Sequence, residues 1–142
     1  MRLVVHTSSS KRSLLLRADA SPQIGLGHVM RCLSLAEPWV RGGSTVKLLS
    51  SAPSSAVAAR ASGLGIEVCE LAALPGSEAD REETCALANS VNATWVVLDG
   101  YHFGADFQRT LKLRRLRQLV FDDTADLAYF AADFVLNQNL GA

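Results

Sequence analysis

Long apolar runs are missing from this 142-residue chain. None approaches the ~18 residues needed to span a bilayer, so no membrane partner is expected. The first apolar stretch is only Leu3-Val4-Val5, and the next, Leu14 to Leu16, stops at Arg17. Both are too short for the core of a signal peptide. Cysteine is scarce: Cys32, Cys69 and Cys85 form an odd set with no C-x-x-C spacing. That excludes a disulfide scaffold, a zinc ribbon and a thioredoxin-type motif, and fits reduced thiols in a cytoplasmic protein. Charge of either sign is not in excess: the formal net charge is +0 and the pI about 6.8. Nothing points to nucleic acid or an anionic membrane. The cluster Lys112, Arg114, Arg115, Arg117 is short and reads as the solvated face of a helix. The three histidines include no i,i+4 pair, so no metal site is expected. No G-x-x-x-x-G-K-[ST] occurs, which excludes a P-loop. Gly25-Leu26-Gly27 lacks the third glycine of a dinucleotide fingerprint, since Met30 stands there, and no acidic residue ends the following strand. No cofactor is expected.

What is present is ordinary globular composition, 49% hydrophobic and 20% charged. The length predicts one domain with a real core. Residues 1–12 read as a ragged extension and residues 13–142 as the domain. Strand-like runs at Leu14–Ala18, Thr45–Leu49, Ile66–Leu71, Thr94–Leu98, Gln118–Phe121 and Phe134–Leu136 alternate with helical patterns. The helices are expected at His28–Arg41, Ser54–Ala61, Ala79–Val91 and Ala105–Arg115. Gly42-Gly43 ends the first helix, and Pro38 in its last turn is expected to kink or shorten it. Trp39 and Trp95 read as core. This order predicts an α/β fold: a Rossmann-like open, mostly parallel sheet with helices on both faces.

The polar residues sort in one direction. Asp19, Asp99, Tyr101, Asp122, Asp123, Asn137 and Asn139 all follow predicted strands. In such sheets ligands bind outside the carboxyl ends of the strands. One crevice could collect them with His28, which opens the first helix after a glycine-containing loop. Gly25 and Gly27 carry no Cβ, so backbone N–H groups and the positive helix end are open to an anion. His28 is either a hydrogen-bonding helix opener or a base, and a helix N-terminus favours its neutral form. Asp99 and Asp122 are either turn caps or ligand contacts. Asp19 either caps the loop or bonds His28. His102 reads as a solvated loop histidine, and His6 as incidental. Asn137-Gln138-Asn139 could be a plain polar exit from the last strand.

Arg17-Ala18-Asp19-Ala20-Ser21 with Ile24-Gly25-Leu26-Gly27-His28-Val29-Met30-Arg31-Cys32-Leu33 resembles the opening of the PseG family. These are UDP-2,4-diacetamido-2,4,6-trideoxy-β-L-altropyranose hydrolases of pseudaminic acid biosynthesis. Asp99-Gly100-Tyr101, Phe121-Asp122-Asp123 and Asn137-Gln138-Asn139 resemble that family's later signatures, in the same order. The resemblance implies a catalytic domain forming the N-terminal half of a GT-B-like architecture. It implies metal-free hydrolysis of a UDP-sugar at the anomeric C1–O bond, with His28 as base. Asp19, Ser21, Gly25, Gly27, Asp99, Tyr101, Asp122, Asn137 and Asn139 are the substrate-binding candidates. The chain departs from the family at Gly100, where histidine is common, at Pro38, and at residues 1–12. It also ends at Ala142, where the family continues with a nucleotide-binding domain. The expectation is thus a truncated chain, a fragment or half of a split enzyme, with self-association or a partner domain completing the cleft. The rival expectations are a non-catalytic remnant and the acceptor-side domain of a GT-B glycosyltransferase.

Overall fold

The structure, a computed structural model, describes residues 11–124 and 130–139. Residues 1–10, including His6, lie outside them. Among the described residues six strands and four helices follow in the order β1 (Ser13–Ala18), α1 (Gly27–Arg41), β2 (Thr45–Ser50), α2 (Ser55–Gly63), β3 (Glu67–Glu70), α3 (Glu78–Ser90), β4 (Trp95–Asp99), α4 (Ala105–Leu113), β5 (Gln118–Phe121) and β6 (Phe134–Leu136). The sheet is parallel throughout, in the order β3-β2-β1-β4-β5-β6.

The two-residue period of the strands splits the core. Leu14 and Leu16 of β1 face one side, with Leu48 of β2 and Val97 of β4. They meet Val29, Cys32, Leu33 and Ala36, the one apolar stripe of α1, and Val57 and Ala61 of α2. Leu15, Val96 and Leu98 face the other side, against Cys85 and Ala88 of α3 and Phe107 and Leu111 of α4. Each fully buried Leu contributes about 1.5–3 kcal/mol of hydrophobic stabilisation. Trp39 and Trp95 are partly buried against the first cluster, as their core assignment requires.

Two helix ends answer points the sequence raised. Helix α1 is not shortened at Pro38 but runs on to Arg41. Pro38 denies a partner only to the carbonyl of Ser34, and both residues are exposed, so water can take that bond. Gly42 and Gly43 then close the helix by donating to the carbonyls of Pro38 and Val40. Helix α4 stops at Leu113 rather than Arg115, because Arg115 turns to φ +59°. Of the basic cluster, only Lys112 is therefore helical; all four of its residues are exposed. Among the described residues, no helix is long and apolar enough to cross a membrane.

Candidate active site

Chain winding sets the position of the site. From β1 the chain moves outward to β2 and β3, then returns across the sheet to β4 on the other flank of β1. The carboxyl ends of β1 and β4 thus border the crevice where the winding reverses, which is where open α/β sheets hold ligands. Ala18 of β1 pairs in register with Asp99 of β4. The loop after β1 folds back on itself: Gly25 donates to the Ser21 carbonyl, and Ile24 N–H to Ser21 Oγ. Gly25 is needed there, at φ +75°. Helix α1 then begins at Gly27 with no side-chain cap and no acidic residue in its first turn, so its leading N–H groups are open.

His28 and Asp99 meet at this crevice. His28 Nδ1 lies 2.7 Å from Asp99 Oδ1, with both residues buried. Arg31 sits one turn further along α1 and forks onto the same carboxylate. Its Nε donates to Oδ2 and its Nη2 to Oδ1, each at 2.6 Å. A carboxylate held this way accepts from His28, so Nδ1 carries the proton. Among the described residues Nε2 has no partner, and the ring borders a cleft of about 180 Å³ with Asp99, Tyr101, Phe121 and Asp122. Tyr101 is exposed and stands edge-on to the imidazole, with ring centroids 5.1 Å apart.

The other side of the Arg31 guanidinium donates to both carboxylate oxygens of Asp123, at 2.7 and 2.9 Å, and its face covers the Phe121 ring. Hydrogen bonding to Asp99 is the main force raising the Arg31 pKa, outweighing its partial burial. The Nη1 and Nη2 bonds from Arg31 hold the Asp123 carboxyl below the usual carboxylate range. Burial, and then the Asp99 charge, push the Cys32 thiol well up, with Sγ 3.9 Å from Asp99 Oδ2. Among the described residues no group of three His, Cys, Asp or Glu side chains is arranged to hold a metal ion.

Asp19 is not the partner of His28. Its Oδ1 accepts from Arg17 Nη1 at 2.6 Å and from the Ser51 N–H at 2.7 Å. Arg17, in β1 two positions before Asp19, is wholly buried and claims that carboxylate. Its other nitrogens form a two-point pair with Asp80 of α3. Burial lowers the Arg17 pKa, and the bonds to Asp80 and Asp19 more than restore it.

Asn137 and Asn139 are exposed. Asn137 Oδ1 accepts from the Asn139 N–H, and Asn139 Nδ2 donates to the Asp123 carbonyl. Between them Gln138, not singled out in the sequence, lines a shallow groove with Gly27, His28, Arg31 and Tyr101. His102 is exposed, as expected. Gly100 has φ +150°, and a Cβ there would lie 3.1 Å from the Phe103 ring, so a histidine in its place would be strained.

The residues that sequence reasoning left unassigned are Arg17, Arg31 and Asp80. Arg31 was findable, being at i+3 from His28 and on the same helix face. Arg17 was findable too, as a charge on the face of β1 otherwise occupied by Leu15. Asp80 gave no signal, since it stands 63 positions from Arg17.

No family model and no curated protein matches the sequence. Solved structures do match the fold. MurG of Acinetobacter baumannii superposes with a TM-score of 0.58 at 16% identity, over 87% of this chain and 40% of that one. A glycosyltransferase from Rickettsia africae ESF-5 gives 0.60 at 10% identity, over 82% and 32%. The Escherichia coli heptosyltransferase WaaC with ADP gives 0.50 at 16% identity, over 89% and 37%. The chain therefore has the Rossmann-like fold found in glycosyltransferases of GT-B type and spans 32–40% of the length of these structures. At such identities the likeness is one of fold.

Proposed function

We propose that this chain is the acceptor-side, base-bearing domain of a nucleotide-sugar glycosyltransferase, with His28 as general base. The observation that carries the reading is the His28–Asp99 pair at the winding-reversal crevice. A hydroxyl of the acceptor gives its proton to His28 Nε2 as its oxygen attacks the anomeric carbon. The bond from that carbon to the nucleoside diphosphate breaks, and the diphosphate leaves with the bonding pair. Asp99 holds the Nδ1–H tautomer and steadies the imidazolium that forms. Tyr101 and Asp122 border the cleft and can orient the sugar, and the open start of α1 behind Gly25 and Gly27 suits the departing diphosphate. The cleft, at about 180 Å³, is smaller than the ~300–1,000 Å³ of complete ligand sites. A second, nucleotide-binding domain or a second copy of the chain would enlarge it. The fold shared with glycosyltransferases supports transfer over hydrolysis.

Hydrolysis of a UDP-diacetamido-trideoxy sugar, with water in place of the acceptor, is the second reading. It is favoured by the ordered motifs at His28, Asp99-Gly100-Tyr101 and Phe121-Asp122-Asp123, which border one cleft. UDP release from a panel of UDP-N-acetylated sugars, with and without sugar acceptors, separates the two. Release only with acceptor supports transfer; release in water alone supports hydrolysis; either should vanish in His28→Ala with the fold kept. Full turnover in His28→Ala, or neither turnover nor a ligand-induced NMR shift at His28, would defeat the reading.

A further inference from the structure

We infer that Arg31 is a positioning residue that sets the charge state of the His28 imidazole, with Asp123 as its counterweight. An aspartate alone beside a histidine favours the imidazolium, which cannot accept a proton. Here Asp99 is shared. Its Oδ1 receives His28 Nδ1 at 2.7 Å and Arg31 Nη2 at 2.6 Å, so imidazole and guanidinium stand across one oxygen atom. Protonating His28 would set two cations on that atom, in a pocket where both side chains are largely shielded from water. Arg31 thus acts against the imidazolium while its fork keeps Asp99 aimed at Nδ1. It cannot turn away, because Asp123 and the Phe121 ring hold its far side.

Among the described residues, the titratable and charged groups around His28 come from three places. Helix α1 contributes Arg31, with Cys32 behind it against Asp99, the end of β4 contributes Asp99 and Tyr101, and the turn after β5 contributes Asp122 and Asp123. Among the described residues Arg31 is the one cation of this group, against three carboxylates. Asp123 draws on the Arg31 charge, so it weakens what His28 feels from that charge. Removing Arg31 and removing Asp123 should therefore move His28 in opposite directions, which a purely mechanical clamp would not do.

The inference concerns the imidazole itself and rests on the proposed function only for its catalytic consequence. It is read directly from the 15N shifts of His28 in the full chain labelled at histidine, assigned by the signal lost in His28→Ala. At a fixed pH near the midpoint, Arg31→Gln should raise the imidazolium-to-imidazole ratio about tenfold or more. Asp123→Asn should lower it by about two- to threefold, since Asp123 is partly solvated. Arg31→Lys keeps the charge and loses the fork; it should stay within about threefold of the parent. A ratio unchanged or lowered in Arg31→Gln overturns the inference. Should Arg31→Gln fail to fold, a ratio unchanged or raised in Asp123→Asn overturns it equally. If the ratios shift as expected while no nucleotide sugar is turned over, the proposed function fails and the electrostatic inference stands. If both hold, the acid limb of kcat/KM moves to higher pH in Arg31→Gln, with KM little changed.

Discussion

Asp80→Asn is the most informative single change to the fold. The Asp80 carboxylate is wholly buried and receives four hydrogen bonds: from Arg17 Nε at 2.9 Å, Arg17 Nη2 at 2.8 Å, the Gly76 N–H at 2.8 Å and Thr84 Oγ1 at 3.0 Å. An amide in its place turns one acceptor into a donor, set against donors already present. It also removes one of the two anions that neutralise Arg17, whose side chain is 0% exposed. Breaking one side of a buried pair costs about 3–5 kcal/mol, because a charge is left without compensation. Total stability for a domain is about 5–15 kcal/mol, so the loss is a large part of it. The melting temperature should fall by roughly 10–20 °C. Thr84→Val supplies an internal scale: it deletes one neutral donor from the same carboxylate and should cost about 1 kcal/mol. Arg17→Met should cost at least as much as Asp80→Asn, since it strands both Asp19 and Asp80. Urea unfolding followed by circular dichroism gives all three values. A cost below about 1 kcal/mol for Asp80→Asn, the range of an exposed pair, would refute the reasoning.

Gly100→Ala forces a side chain into φ +150° with its Cβ 3.1 Å from the Phe103 ring; it should cost about 1–3 kcal/mol, and a melt within the error of the parent would contradict this. Acid stability should depend on Asp123. Its pKa is lowered in the folded state, chiefly by the Arg31 hydrogen bond, so the unfolded chain binds the proton more readily. Its contribution is complete above the ordinary carboxylate pKa of about 4 and is lost as pH falls through the lowered folded value. Stability measured against pH should therefore fall less steeply on the acid side in Asp123→Asn than in the parent.

The architecture could be read from the chain because its signals are local. Leu14-Leu15-Leu16 and Val96-Val97-Leu98 are buried on both faces, as central parallel strands must be, and α1 shows one apolar stripe. The site was legible as a set of strand ends but not as a set of pairs. Asp99 and His28 both stand out by position, yet the sequence offers Asp19, not Asp99, as a partner for His28, because only the strand order sets β4 beside β1. Strand order comes from the crossovers, which no residue pattern encodes. The full length of α1 past Pro38 has a similar origin: a missing N–H ends a helix only if its carbonyl is sheltered from water, and this one is at the surface.

Among the described residues no two strands form a hairpin, and this bears on how the molecule comes to exist. His28 and Asp99 are 71 positions apart, and Arg31 and Asp123 are 92 apart. Every described strand pair is parallel, so each of these contacts must wait for a crossover to close. A chain emerging from the ribosome can join β1 to β2 and β3 while β4 is still unmade. During that interval β1 is an edge strand, offering Leu14-Leu15-Leu16 to any other extended chain. Docking of β4 seals that edge and brings Asp99 to His28 in the same step. Substitutions that slow this docking should therefore reduce soluble yield more than they reduce the stability of the finished protein.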